Sequence, residues 1–248
     1  MKRVRTGRSL GVTLAAVVGF ALTVSLGVWQ LGRADQKRTL LAQQLAQVGQ
    51  PAADWGDVHR AFEAGELPAW HGRAVQLRGR WVPEATVYLD NRPMQGRAGF
   101  IVVTPLMSEG GGPGLLVQRG WVPRRADDRT AVPPLRTPDG VVTVEGRLAP
   151  PPSRLFQLGP DAAGPIRQNI DIDAWGEQWR LVLVPASVQQ SAPPESAADG
   201  TPLLREWTVV AVDPAKHVGY AVQWFGLAAL IGVLYVWFQF VSPRRRAR

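Results

Sequence analysis

The sequence contains no cysteine. That absence excludes a disulfide framework, thiol redox chemistry, covalently attached c-type haem and any thiolate metal site. Other soft or borderline ligands are scarce: three methionines (Met1, Met94, Met107) and three scattered histidines (His59, His71, His217). A copper carrier, which prefers thiolate and thioether donors, is therefore disfavoured. No His-Glu-x-x-His, Gly-rich phosphate loop or EF-hand pattern occurs.

Charge is missing from two long stretches, Ser9 to Gly32 and His217 to Pro243. Each exceeds the roughly 20 apolar residues that cross a hydrocarbon core. Acidic residues are missing from both tails. Lys2, Arg3, Arg5 and Arg8 precede the first stretch, and Arg244, Arg245, Arg246 and Arg248 follow the second. The net charge of +8 is thus membrane-flanking, and residues 9–243 sum to zero, so a nucleic-acid partner is not expected. Lys/Arg clusters beside spans resist translocation, which predicts cytoplasmic termini and an extracytoplasmic segment 33–216. Arg33, Lys37 and Arg38 on the far side of the first span weaken that bias without reversing it. The first stretch is longer than the roughly 7–15 apolar residues of a secretory signal and lacks a clean cleavage site, so a retained anchor is expected. It is not an Arg/Ser-rich transit peptide either, which points to a bacterial plasma membrane.

The expected organisation is a basic tail (1–8), a transmembrane helix (9–32), an extracytoplasmic domain (33–216), a second transmembrane helix (217–241) and a basic tail (242–248). Residues 36–48 read as a continuation of the first helix. Residues 54–66 read as a short helix with Asp54 as N-cap and a stop near Gly65. The period then changes to two. Val75, Leu77 and Trp81 alternate with Gln76, Arg78 and Arg80, and Val142, Val144 and Leu148 with Thr143, Glu145 and Arg147. Further strands are expected at 86–90, 100–107, 115–122, 181–186 and 203–212, with Gly110–Gly114 as a hairpin loop. The Pro/Gly/Ser/Ala-rich stretches 131–140 and 189–202 read as irregular. The fold class is an integral membrane protein, two transmembrane helices enclosing a β-rich α+β domain with an antiparallel sheet that curls or closes into a barrel.

Enzyme signatures are weak. Gly7-Arg8-Ser9-Leu10-Gly11 matches the nucleophile elbow, but lies in a basic tail entering a membrane helix rather than between a strand and a helix. Asp90, Asp171, Asp173 and Glu177 are available carboxylates with no evident pairing, and His59 and His71 need no function. Of the ten tryptophans, Trp29, Trp224 and Trp237 fit interfacial anchors, while Trp81, Trp121 and Trp207 read as core.

His217 stands apart because it sits at the mouth of the second span. On a helix it shares a face with Tyr220, Ala221 and Trp224 at i, i+3, i+4 and i+7. One ligating nitrogen, two aromatic rings and a small residue would suit a flat macrocycle, and imidazole is a usual axial ligand of haem iron. An amphipathic belt with its polar tips among the headgroups explains the same residues, and composition alone favours the belt. Gln223 counts against it, since an amide one turn inside a span usually faces protein or a ligand.

Several segments, taken in order, carry a family resemblance. They are Gly27-Val28-Trp29-Gln30-Leu31-Gly32-Arg33 with Lys37; Asn91-Arg92, Gly96 and Gly99-Phe100-Ile101-Val102-Val103-Thr104-Pro105-Leu106; Val117-Gln118-Arg119-Gly120-Trp121-Val122-Pro123; Val144-Glu145-Gly146-Arg147-Leu148; and His217 with Tyr220-Ala221-Val222-Gln223-Trp224-Phe225. Together they resemble the surfeit locus protein 1 family of cytochrome c oxidase assembly factors, over about a third of the chain. Residues 150–200 match that family poorly.

The resemblance implies a non-enzymatic, two-span protein of the bacterial inner membrane that serves respiratory chain biogenesis as a chaperone. Its expected partners are the catalytic subunit of the oxidase, other oxidase assembly factors and the lipid bilayer. Its expected cofactor is transiently held haem a, with His217 as axial ligand to the iron. Tyr220, Gln223 and Trp224 would surround it, and Arg33 would neutralise a propionate. Two other classes compete: a scaffold that docks oxidase subunits without touching haem, and a membrane-anchored extracytoplasmic hydrolase.

Overall fold

The computed structural model describes residues 3–47, 49–125, 127–128, 131–157, 159, 164–207 and 214–242. The chain divides into two compact units, one from residues 1–42 and 209–248, the other from residues 43–208.

The first unit is a pair of helices. Helix α1 spans Arg3–Gln47, so the first apolar stretch does continue into the segment after Gly32, as its Leu/Ala/Gln content predicted. Helix α4 spans Pro214–Val236 and runs into a π-helical turn, Trp237–Val241. By length and composition both can cross a membrane. Neither is a core helix: Leu14, Val17, Leu22 and Val28 of α1 and Val222, Leu230 and Val233 of α4 are exposed. Apolar surface of that extent is unfavourable in water and suits lipid.

Contacts between the helices are few and made by small or polar groups. Thr13 Oγ1 and Tyr235 Oη share a hydrogen bond of 3.0 Å. A Cβ on Gly19 would lie 3.6 Å from Ile231 Cδ1, and one on Gly27 would lie 2.7 Å from the Phe225 ring. At the other end Gln30 meets His217. Lipid chains are as apolar as leucine, so close approach at glycine and hydrogen bonds between spans are what hold such a pair. Early residues of α1 pair with late residues of α4, so the helices run antiparallel.

The second unit is a closed sheet. Strands β1 (Ala74–Trp81), β5 (Val141–Ala149), β7 (Leu183–Ala192), β4 (Gly114–Pro123) and β3 (Gly99–Ser108) follow one another in that order, and β1 pairs back to β3 to close a five-stranded barrel. Strand β1 alternates strictly between exposed and buried residues, as the period of two requires. Closure depends on Gly79, which pairs with Val142 of β5 and Ser108 of β3. A Cβ there would lie 2.2 Å from the Met107 carbonyl oxygen. Val75, Leu77, Leu106, Leu115, Val117, Val144, Leu148, Val184, Ala186 and Val188 fill one continuous core with Val58 and Ala61 of α2 (Trp55–Glu63). Helix α2 starts at a capping box made by Asp54 and Asp57, where the sequence placed its start.

Strands β3 and β4 are buried almost along their whole length because their outer face is covered too. Two short strands, β2 (Val87–Leu89) and β6 (Ile166–Arg167), extend the sheet beyond β3. Helix α3 (Ile172–Trp179) packs Ile172 and Trp175 against Val87, Leu89, Val103 and Leu116.

The structure departs from the sequence reading in four places. The barrel is mixed, since β7 runs parallel to β4, and in the extension beyond β3 strand β6 runs parallel to β2. A parallel neighbour requires a crossover, and here the chain between β5 and β7 carries β6 and α3. Strand β7 extends into the stretch read as irregular, because Gln189, Gln190 and Ala192 keep their ladder with β5. The strand expected at 203–212 is reduced to a bridge between Leu204 and Trp121, and residues 208–212 lie outside the described residues. Helix α3, strand β6 and the 3-10 turns Leu67–Trp70 and Pro83–Ala85 were not anticipated.

Candidate functional site

Two of the four carboxylates raised as possible catalysts, Asp90 and Asp171, are occupied structurally. Asp90 is ion-paired with Arg124. Asp171 caps α3 through the Ala174 N–H, which holds its carboxyl below the usual range, and also pairs with Arg154 at 3.0 Å. Asp173 stands in the first turn of α3 and Glu177 within that helix. His59 Nε2 is 2.8 Å from the Pro113 carbonyl oxygen, a tie between α2 and the Gly-rich hairpin loop. The Gly7–Gly11 segment is helical, as its place at the entry of a span demands. Among the described residues no cluster of three His, Asp or Glu side chains is arranged for a metal ion.

The predicted tryptophan roles divide. Trp121 is fully buried and donates from Nε1 to the Arg92 carbonyl at 2.6 Å. Trp81 is buried under the Arg119 guanidinium, 4.6 Å from the ring centroid. Trp207 is only half-buried, and its Nε1 donates to the Gln190 carbonyl at 2.7 Å.

His217 lies in the first turns of α4, half-buried, with Nδ1 2.8 Å from Oε1 of Gln30 on α1. No partner is found for Nε2 among the described residues. The site therefore offers one imidazole nitrogen, in the first turns of α4 and against Gln30 of α1.

The other site candidates fall around it unevenly. Tyr220 is 53% exposed and Trp224 half-buried. Ala221 is 1% exposed, so it is covered within the helical unit and leaves no open slot for a macrocycle. Gln223 is exposed, not turned toward protein. Arg33 is exposed, one helical turn beyond Gln30, and donates from Nη1 to Gln36 Oε1 at 3.1 Å. It makes no ion pair among the described residues, so its charge is available to an anion. Open surface near His217 thus lies on the Tyr220, Gln223 and Arg33 sides, away from Ala221.

The amide that faces protein is Gln30, not Gln223. Gln30 stood inside one of the resemblance segments without being assigned a role. The argument applied to Gln223, that an amide within a span seeks a partner, applies equally to Gln30. Only the pairing of the two helices, 187 residues apart in sequence, tells them apart.

Comparison with known proteins supplies the remaining evidence. A profile of the SURF1 family matches residues 17–229, which takes in the barrel and most of both helices. A SURF1-like protein of Rickettsia felis is 26% identical over 228 residues, covering 90% of this chain and 94% of the relative. An uncharacterised SURF1-like protein of Mycobacterium tuberculosis is 27% identical over 261 residues, covering 97% of this chain and 86% of the relative. The cytochrome oxidase assembly protein SHY1 of Saccharomyces cerevisiae is 25% identical over 121 residues, covering 48% of this chain and 30% of that protein.

Proposed function

The chain belongs to the SURF1 family, and from that premise we propose that it is an assembly factor for haem-copper cytochrome c oxidase, holding haem a at the membrane surface for delivery to the catalytic subunit. The observation that carries this reading is His217, in the first turns of a membrane-type helix, with Nδ1 engaged by Gln30 and Nε2 without a partner among the described residues. The yeast relative, a cytochrome oxidase assembly protein, supports the oxidase as the destination.

The residues fit haem by the chemistry of their donors. His217 offers one imidazole nitrogen, Arg33 an exposed guanidinium, and Tyr220 and Trp224 aromatic surface on the same side of α4. The group supplies, when bound, an iron centre destined for electron transfer in the oxidase. What the chain does is hold, orient and release. A single protein ligand suits that task, since a closed cage would retain its cargo. Apolar helix faces beside the imidazole keep a lipophilic tail out of water, and Arg33 answers the carboxylates that stay in it.

In this reading residues 9–32 and 217–241 cross the bacterial plasma membrane. Residues 33–216 are extracytoplasmic, and the basic tails 1–8 and 242–248 are cytoplasmic. The barrel then meets the oxidase and other assembly factors, and no catalysis is required of the chain. Cells carrying His217→Ala should lose haem a-type oxidase activity while quinol oxidases with other haems and the abundance of this protein stay normal. Undiminished haem a-type oxidase in that strain would sink the haem-handling role and leave a scaffold that docks oxidase subunits.

A further inference from the structure

We propose that Gln30 is the positioning residue of the haem site: its side-chain oxygen fixes the tautomer and orientation of His217 so that Nε2 faces the iron. The proposal rests on the haem-holding reading and adds a residue from the opposite helix to it.

Neutral imidazole carries one proton, on either nitrogen. Gln30 Oε1, an acceptor, lies 2.8 Å from Nδ1, so the proton belongs on Nδ1 and the lone pair on Nε2. The bond also removes ring rotation. A histidine that binds metal through one nitrogen is commonly oriented through the other, and loss of such a partner weakens metal affinity by about 10- to 100-fold.

Gln30 is placed for this by the helix pair itself. Its neighbours Trp29 and Leu31 are 56% and 44% exposed, whereas Gln30 is half-buried. One turn away, Gly27 lies directly under the Phe225 ring, where any larger side chain would separate the helices. The orientation of the ligand on α4 is therefore set from α1. The nitrogen is presented only while the two helices are paired.

The test uses full-length detergent-solubilised protein labelled with 15N-histidine, at pH 8, where a free imidazole is neutral. The His217 signals are identified by their absence from His217→Ala. We expect wild type to carry the proton on Nδ1, Gln30→Leu to shift toward the Nε2-protonated form, and Gln30→Glu to keep Nδ1 protonated. Titration with iron protoporphyrin IX should then give roughly 10-fold weaker binding for Gln30→Leu and near wild-type binding for Gln30→Glu. Bound haem in Gln30→Glu should show a lower midpoint potential, because a carboxylate partner makes the imidazole more basic.

A wild-type His217 protonated on Nε2, or a tautomer indifferent to Gln30→Leu, would overturn the proposal. So would equal haem affinity of wild type and Gln30→Leu, with the haem-holding reading left standing. If the tautomers behave as expected but wild type takes up no iron protoporphyrin, the haem-holding reading falls and this role of Gln30 with it.

Discussion

Arg119 has no exposed surface, yet it carries a charge into the barrel domain. It donates from Nε to Glu195 at 2.8 Å and from Nη1 to Thr137 Oγ1 at 2.8 Å, and its plane lies against the Trp81 ring. Glu195 also faces Arg205 at 3.7 Å and accepts from Gln190 Nε2 at 3.0 Å. Removing one member of a buried pair leaves the other charge uncompensated, a loss of about 3–5 kcal/mol. Glu195→Ala should lower stability by that amount in thermal unfolding of the full chain, whereas Asp127→Ala, at an exposed ion pair, should leave it nearly unchanged. Equal effects would show that the buried pair has no special weight. A second residue-scale expectation concerns acid. Burial lowers the His71 pKa from its ordinary 6.5. The unfolded chain therefore takes up that proton at higher pH than the folded one. The contribution is fully present above about pH 6.5 and is lost as pH falls through the folded value. The unfolding temperature should drop between pH 7 and pH 5, and His71→Gln should flatten that slope. An unchanged slope would mean that His71 is not its source.

At the scale of the element, glycine decides both closures. Gly79→Val would drive a side chain into the Met107 carbonyl where β1 turns from β5 to β3. Backbone cannot yield as a side-chain tip can, so the variant should fail to accumulate as folded protein. Gly110→Ala, whose Cβ meets only Ser108 Oγ at 3.9 Å, should be neutral. Normal thermal unfolding of Gly79→Val would contradict barrel closure at that point. Gly27→Leu should part the helices at Phe225. Because the chain has no cysteine, thiols placed at Gly19 and Ile231 would be the only ones present, and a short thiol-bridging reagent should join them in wild type but not in the Gly27→Leu background. Bridging that survives the substitution would show that Gly27 does not set the approach of the helices.

The elements legible in the sequence are those whose signal is local. Strand β1 announced itself because one face is in water and the other in the core, and α2 because Asp54 and Gly65 mark its ends. Strand β6 has two residues, and α3 lies in a stretch whose Pro and Ala content masks periodicity. The parallel pairing of β7 with β4 depends on the route of a crossover, which no local pattern encodes. The site divides in the same way. His217 could be singled out as a candidate from its place at the start of an apolar run. Gln30 was not, since only the tertiary contact separates it from Gln223.

For the whole molecule, the helix pair is antiparallel and sets Gln30 of α1 beside His217 in the first turns of α4. With Lys2, Arg3, Arg5 and Arg8 preceding the first apolar stretch in sequence and Arg244, Arg245, Arg246 and Arg248 following the second, the positive-inside bias predicts one orientation. Alkaline phosphatase fused after residue 120 should be active and a fusion at Arg248 inactive; the opposite pattern would invert the topology. Orientation matters because it decides in which compartment His217 and Arg33 would meet the proposed haem. The most direct test of the central claim is the absorption spectrum of the purified, detergent-solubilised protein from cells that make haem a. We expect wild type to carry a Soret band and His217→Ala, at equal yield and with unchanged topology, to lack it. A Soret band of equal size in His217→Ala, or none in wild type supplied with haem a, would contradict haem holding at this residue.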